Sequence, residues 1–283
     1  MFSPVDTKDA PAVEAAVQAT YLELFQDADP TLVGRMFTCV THCFRGECEG
    51  YAAIDARYHD LEHTLQAALC LVRLLANRHR AGVEPVLSQR HFELGLLAVL
   101  LHDSGYAKEA GDRDGTGAKH TFTHVARSAQ FAELLLRSRG FAEGDIRATQ
   151  HMIRCTGFDA DVDAIPFQNP GERVVGYALA TADLLGQMAA PDYVDKLPIL
   201  FAEFSEALAF TRPSRIVQLP FHTAEELIRQ TPSFWGDRVW LRLNRQLGGL
   251  YRFLESPYPG GPNEYLERIE ANLEVIRRRY PAA

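Results

Sequence analysis

A chain of 283 residues with 47% hydrophobic and 23% charged content can bury a full core, and the simplest organisation is one globular unit, residues 1–283. Its net charge of −8, with no block of basic residues, excludes the electrostatic footprint of a nucleic-acid duplex binder and points to small-molecule chemistry. No apolar run approaches the roughly 20 residues that span a bilayer, and the opening MFSPVDTKDAPAVEA lacks a basic stretch followed by an apolar one, so the chain reads as cytoplasmic with no membrane partner.

In chain order, segments 11–25, 61–79, 90–103, 123–140, 144–155, 172–188 and 197–210 each repeat apolar residues at intervals of three and four, the helical period. No segment alternates as a strand, so the expected fold class is all-α. Between the first two segments stand Cys39, Cys43 and Cys48, with His42 among them. Their spacing lacks the C-x-x-C knuckle of a structural zinc site and reads as packed thiols, and five cysteines, an odd number, fit a reducing compartment better than a disulfide framework. The loop 107–120, AKEAGDRDGTGAKH, contains the fragment Asp112 to Gly115, which has only part of a calcium loop and reads as a mobile surface loop. Gly140 follows a helix ending in Arg137 and Arg139, and Asp145 stands where the next helix needs its N-cap. Prolines and glycines at 256–264 mark a turn between the last two helical stretches. Trp235, Trp240, Tyr251 and Phe253 read as core, or as a cover for a pocket, or as the face of a homodimer.

The informative residues are those whose polarity contradicts their surroundings. His59 and His63 are four apart, which on a helix places two side chains on one face about 5–6 Å apart. They can share a metal, a proton or a substrate, or be a hydrogen-bonded core pair. The apolar run ELGLLAVLL leads straight into His102-Asp103, and Asp183 is the only charged residue between Val174 and Ala190. A carboxylate taken out of water must neutralise, pair with a cation or coordinate a metal. No lysine or arginine lies within helical reach of Asp183. Histidines do recur on successive predicted helices: His59 and His63, then His102, His124 and His151. With Asp103 and Asp183 they make a mixed nitrogen and oxygen ligand set, suited to two divalent transition ions, iron or manganese, with zinc, cobalt or nickel as substitutes, and Asp103 is the natural bridge.

The order H-x-x-x-H, then HD after an apolar helix, then two histidines and a buried aspartate resembles the HD-domain metal-dependent phosphohydrolases. The likeness covers roughly residues 55 to 190, and the resemblance implies a helical bundle with extra N- and C-terminal helices, 191–283 being a C-terminal extension. By the same resemblance His63, His102, Asp103 and Asp183 match the holders of the first metal, and His124 and His151 match the histidines that complete a second site. His120 competes with His124, which is preferred because it heads an amphipathic helix. His59 matches the first histidine of the YH-x-x-x-H signature of class I cyclic-nucleotide phosphodiesterases, where it is the general acid. The chain departs from that group: Asp60 replaces its asparagine, and the extended motif after the HD pair is absent. The GYP signature of the cyclic-di-nucleotide phosphodiesterases is absent as well.

The expected reaction is hydrolysis of a phosphorylated small molecule, a nucleotide among the candidates. The metals would activate water and offset charge in an in-line displacement, with Asp103 at the reacting centre and His59 protonating the leaving oxygen. Asp60, or another acceptor, would fix the His59 tautomer. Lys108, and Arg113 or Lys119 in the loop, are candidates to neutralise substrate phosphate, with the loop as a lid. The alternative is a di-iron oxygenase of the same superfamily, which shares the ligand order; a third class is a helical protein in which metal is structural.

Overall fold

The central element of the computed structural model, which describes residues 2–211 and 219–281, is a helix apolar on almost every side. This helix, α3 (Leu61–Arg80), buries Leu65, Ala67 to Val72 and Leu74 to Ala76, the pattern of a helix surrounded by others rather than lying on a surface. It is packed by α1 (Ala10–Leu24), α4 (Gln89–Leu101) and, most closely, α7 (Pro170–Met188). Gly186 permits that closeness: a Cβ there would stand 3.0 Å from the Gln66 carbonyl, so the two backbones meet where no side chain intervenes. Helix α2 (Leu32–Phe44) packs on α1 and α4, and α5 (His124–Ser138) with α6 (Glu143–Arg154) forms a hairpin against α4. Among the described residues there is no strand, only an isolated bridge between Tyr51 and Glu109, so the all-α expectation holds. No helix among them is long and apolar enough to cross a membrane.

Local chemistry sets the ends that matter for the site. Asp60 is the N-cap of α3 and accepts from the His63 amide at 2.9 Å. Ser88 caps α4, and Asn169 with Pro170 at the first position starts α7. Asp145 lies in the first turn of α6, whose N-cap is Ala142, and it pairs with Arg90 instead of capping.

The C-terminal helices are α8 (Tyr193–Phe210), α9 (Ala224–Phe234), α10 (Trp240–Arg245) and α11 (Glu264–Arg279). Their Leu227, Leu243, Leu273 and Ile276 join the same hydrophobic core as Val13 and Leu71. They also satisfy helix ends elsewhere: the Asn272 amide donates to the carbonyls of Met188 and Ala190 at the end of α7, and Arg242 donates to those of Cys155 and Gly157 at the end of α6. Of the aromatic residues singled out, Tyr251 and Phe253 are buried, Trp235 is half-buried and Trp240 is exposed.

Candidate metal centre

Four side chains from three helices and one turn converge at the top of α3. His63 comes from its first turn, Asp183 from the middle of α7, and His102 caps the C-terminus of α4 with Asp103 next in the chain. The His63 Nε2 atom lies 3.2 Å from Asp103 Oδ2 and 3.1 Å from Asp183 Oδ1; the His102 Nε2 atom lies 3.4 Å and 3.5 Å from the same two oxygens. Donors that bind one ion at about 2.0–2.2 Å sit about 3–3.5 Å from one another, so this spacing is that of a shared coordination sphere. The same separations would suit ion pairs, but the fully buried His102 Nε2 and Asp103 Oδ2 make no hydrogen bond. Buried polar atoms almost always find partners, and two that aim at a common point without bonding each other fit a metal between them.

The imidazoles are held in the orientation that ligation needs. His102 Nδ1 lies 2.7 Å from the Val99 carbonyl and His124 Nδ1 lies 2.7 Å from the Thr121 carbonyl. A carbonyl only accepts, so Nδ1 carries the proton in both rings and Nε2 keeps its lone pair. His124 opens α5, and its Nε2 is 3.7 Å from Asp103 Oδ1, the oxygen that does not face His63. Its position depends on Gly105, where any Cβ would collide with the His124 carbonyl oxygen and stand 2.7 Å from the Ser128 nitrogen. Asp103 thus presents one oxygen to the inner pair of histidines and the other to His124.

His59 precedes α3 and groups with His63 and Asp103 closely enough to share an ion. Both candidate groups draw on His63, whose Nε2 can serve one ion at a time, so they are overlapping options rather than two complete sites. The ring of Tyr106 stacks on His59 at 4.6 Å and on His124 at 4.7 Å between centroids, fixing both. The acceptor for His59 is not Asp60, which is occupied in capping. It is Glu203, on α8, with Oε2 2.6 Å from His59 Nδ1 and Oε1 accepting from the Tyr58 amide at 2.7 Å.

Burial alone would lower the pKa of His63, yet the Asp103 and Asp183 carboxylates outweigh it and raise the pKa to about 10. The pKa of His102 is raised, against burial, by the same two carboxylates. Burial pushes both carboxylates up, but the imidazoles prevail: His102 and His63 hold Asp103 and Asp183 well below the usual range. His124 is displaced downward by burial. Without metal, His63 keeps its extra proton at neutral pH between the two carboxylates, and a divalent ion would displace it.

Other expected participants stand elsewhere. His151 lies on the buried face of α6, edge-on to Phe167 at 6.0 Å, with Nδ1 unpaired, and belongs to neither group of candidate ligands. The α5/α6 hairpin presents His124 to Asp103 but turns His151 to the aromatic side. His120 belongs to neither group, and burial lowers its pKa to about 4. Lys108 does not face the cluster as a free cation: its Nζ is 3.1 Å from Asp55 Oδ2 and donates to the Gly115 carbonyl at 2.7 Å. The loop expected to be mobile is braced on all sides, by Lys108, by Glu206 on Thr116, by Asp55 on the Gly117 amide and by Lys119 on Asp112. Cys39, Cys43 and Cys48 do not gather with His42 into a metal-holding group among the described residues; all are free thiols, and His42 pairs with Glu47.

Glu203 and Tyr106 were not anticipated. Tyr106 carries no helical or metal-binding spacing, but Glu203 had a signal: it falls three residues after Leu200 and four before Ala207, on the apolar stripe of its helix. No protein-family model matches the chain, and comparison with curated protein sequences finds no match.

Proposed function

We propose that the chain is a metal-dependent phosphohydrolase of the HD type, acting on a phosphodiester or nucleotide. The observation that carries the reading is the inner cluster, in which His63, His102, Asp103 and Asp183 bring four donor atoms to ligand spacing while His102 Nε2 and Asp103 Oδ2 stay unbonded. These four would hold the first ion; Asp103 Oδ1 and His124 Nε2 are the donors available to a second. Bound there, the ions would supply an activated water and positive charge for the phosphoryl oxygens.

The chain's own groups do the rest. The side chains of His59 and Asp183 are 13% exposed and that of His124 is 20% exposed, against 1% for His102 and Asp103, so substrate approaches past His59, His124 and Asp183. His59 sits 5.3 Å from His63 and 5.7 Å from His124 between ring centroids, beside the reacting centre, and would give its Nε2 proton to the leaving oxygen. Lys108, Lys119 and Lys196 are paired with Asp55, Asp112 and Glu62, so the charge of the substrate falls chiefly to the ions. That favours a phosphodiester, with a single negative charge, over a polyphosphate.

The test is to purify the protein without chelator, measure bound metals, and assay bis(p-nitrophenyl) phosphate and a nucleotide panel with and without dioxygen. Metal-dependent release of nitrophenol that is indifferent to oxygen is expected. Turnover that consumes oxygen would move the site to the di-iron oxygenase class, and a protein that binds no transition metal would remove the basis of both.

A further inference from the structure

Glu203 lies 144 residues from His59 in the chain, on a helix outside the stretch that carries the ligand motifs, and yet its carboxylate is 4% exposed and fully engaged by the His59 segment. Its two oxygens have separate tasks. Oε1 takes the Tyr58 amide, which can only donate, and Oε2 faces His59 Nδ1. We infer that Glu203 is the positioning residue of His59: it pins the ring proton on Nδ1 and reserves Nε2 for exchange with the substrate. This assignment rests on the phosphohydrolase reading for its catalytic consequence, but the tautomer itself does not depend on which reaction the site performs.

A carboxylate has no hydrogen to give, so His59 Nδ1 must be the donor in that contact, and in the neutral ring Nε2 is left with a lone pair; the proton given to the leaving oxygen is a second one, which Nε2 takes up from solvent to form the imidazolium before the bond breaks. Tyr106 stacked on the same ring blocks its rotation out of register. The next turn of α8 carries Glu206, which grips Thr116 of the adjoining loop through Oε1 and Oε2, so the helix is held in place independently of His59. Helix α8 is in this way part of the site, although it supplies no candidate ligand.

The geometry specifies a variant of nearly the same size that reverses the tautomer. In Glu203→Gln the amide oxygen must stay with the Tyr58 amide, which turns the NH2 group onto His59 Nδ1. That nitrogen must then accept, and the ring proton moves to Nε2. A histidine held in the wrong tautomer by an acid-to-amide change costs about 10⁴ in kcat in the serine-protease triad, and a loss of about 10³–10⁴ is expected here.

The experiment is ¹⁵N NMR of histidine-labelled full-length protein, loaded with zinc as a diamagnetic ion, at a pH where the His59 ring is neutral. The Nδ1–H form is expected in the parent and the Nε2–H form in Glu203→Gln, with bound zinc unchanged; Glu206→Gln, a control on the same helix, should keep Nδ1–H. An Nδ1–H ring in Glu203→Gln overturns the assignment. With bis(p-nitrophenyl) phosphate, kcat should fall as stated while KM and metal content hold; a reversed tautomer with kcat within tenfold of the parent overturns the catalytic consequence. If the parent itself hydrolyses no phosphoester, the reaction assignment fails and the tautomer result still decides the role of Glu203.

Discussion

The two halves of the cluster are built differently. Around His63 and His102 three of the four donors are almost completely buried and Asp183 is 13% exposed, carboxylates and imidazoles lie within 3.5 Å, and helices α3 and α7 cross at a glycine. Around His59 and His124 the rings are partly exposed, come from helix starts and a turn, and are held by single hydrogen bonds and by stacking on Tyr106. The inner half has the features of a tight, permanent binding site. The outer half is ordered by contacts that can be altered without dismantling the core.

Breaking the inner half should have the largest effect. Replacing Asp183 with Asn leaves His63 and His102 facing one carboxylate instead of two, so stoichiometric metal should be lost on elemental analysis, and the metal-free protein should be destabilised by about 3–5 kcal/mol in denaturant titration. Equal metal content in parent and variant would show that the inner half is an ion-pair cluster. On the outer half, His59→Ala should lower turnover of a phosphodiester by about 10²–10⁴ while stability and the inner ion are kept. Loss of one equivalent of metal in that variant would instead make His59 a ligand.

Acidity sharpens the same contrast. Protons and metal compete for the inner imidazoles, so chelator competition should show metal affinity rising with pH until His63 has lost its proton at about 10. In the metal-free protein the sign for stability is opposite. The raised pKa of His63 gives stabilisation that is complete below its ordinary value of 6.5 and is lost as pH rises through about 10. The parent should accordingly lose more thermal stability over that window than Asp183→Asn does. A smaller effect is expected of Gly105→Ala, about 1–3 kcal/mol from forcing α5 away from the turn, with the disturbance confined to His124 in NMR spectra. The smallest is His151→Gln, which should leave metal content unchanged because that ring faces Phe167.

What the sequence revealed and what it concealed follow from how each is encoded. The helices that carry the ligands were legible because burial on one face leaves a local period, and Asp183 and His102-Asp103 stood out because charge in an apolar run needs a partner. Convergence of His63, His102, Asp103 and Asp183 then followed from chemistry. Less legible were residues whose partner lies far along the chain. Lys108 in a glycine-rich loop looks free until Asp55 is placed beside it, and His151 looks like His124 until the hairpin fixes which side each faces. Glu203 is the converse case. Its acidic neighbour Glu206 and the half-exposed Phe201 and Phe204 disguise the one acid on that helix that is fully buried. Helix α2, rich in Thr, Val and Cys, was overlooked since those residues weaken helix propensity, and packing overrides them.

One contact sets a dimension for all of this. Gly186 lies three residues beyond Asp183 and Gln66 three beyond His63, so the crossing where α7 touches α3 is one turn from the ligands it spaces. A methyl group there would part the helices by a few tenths of an ångström. The crossing works as a caliper, and the spacing of the candidate donors is written in the absence of a side chain.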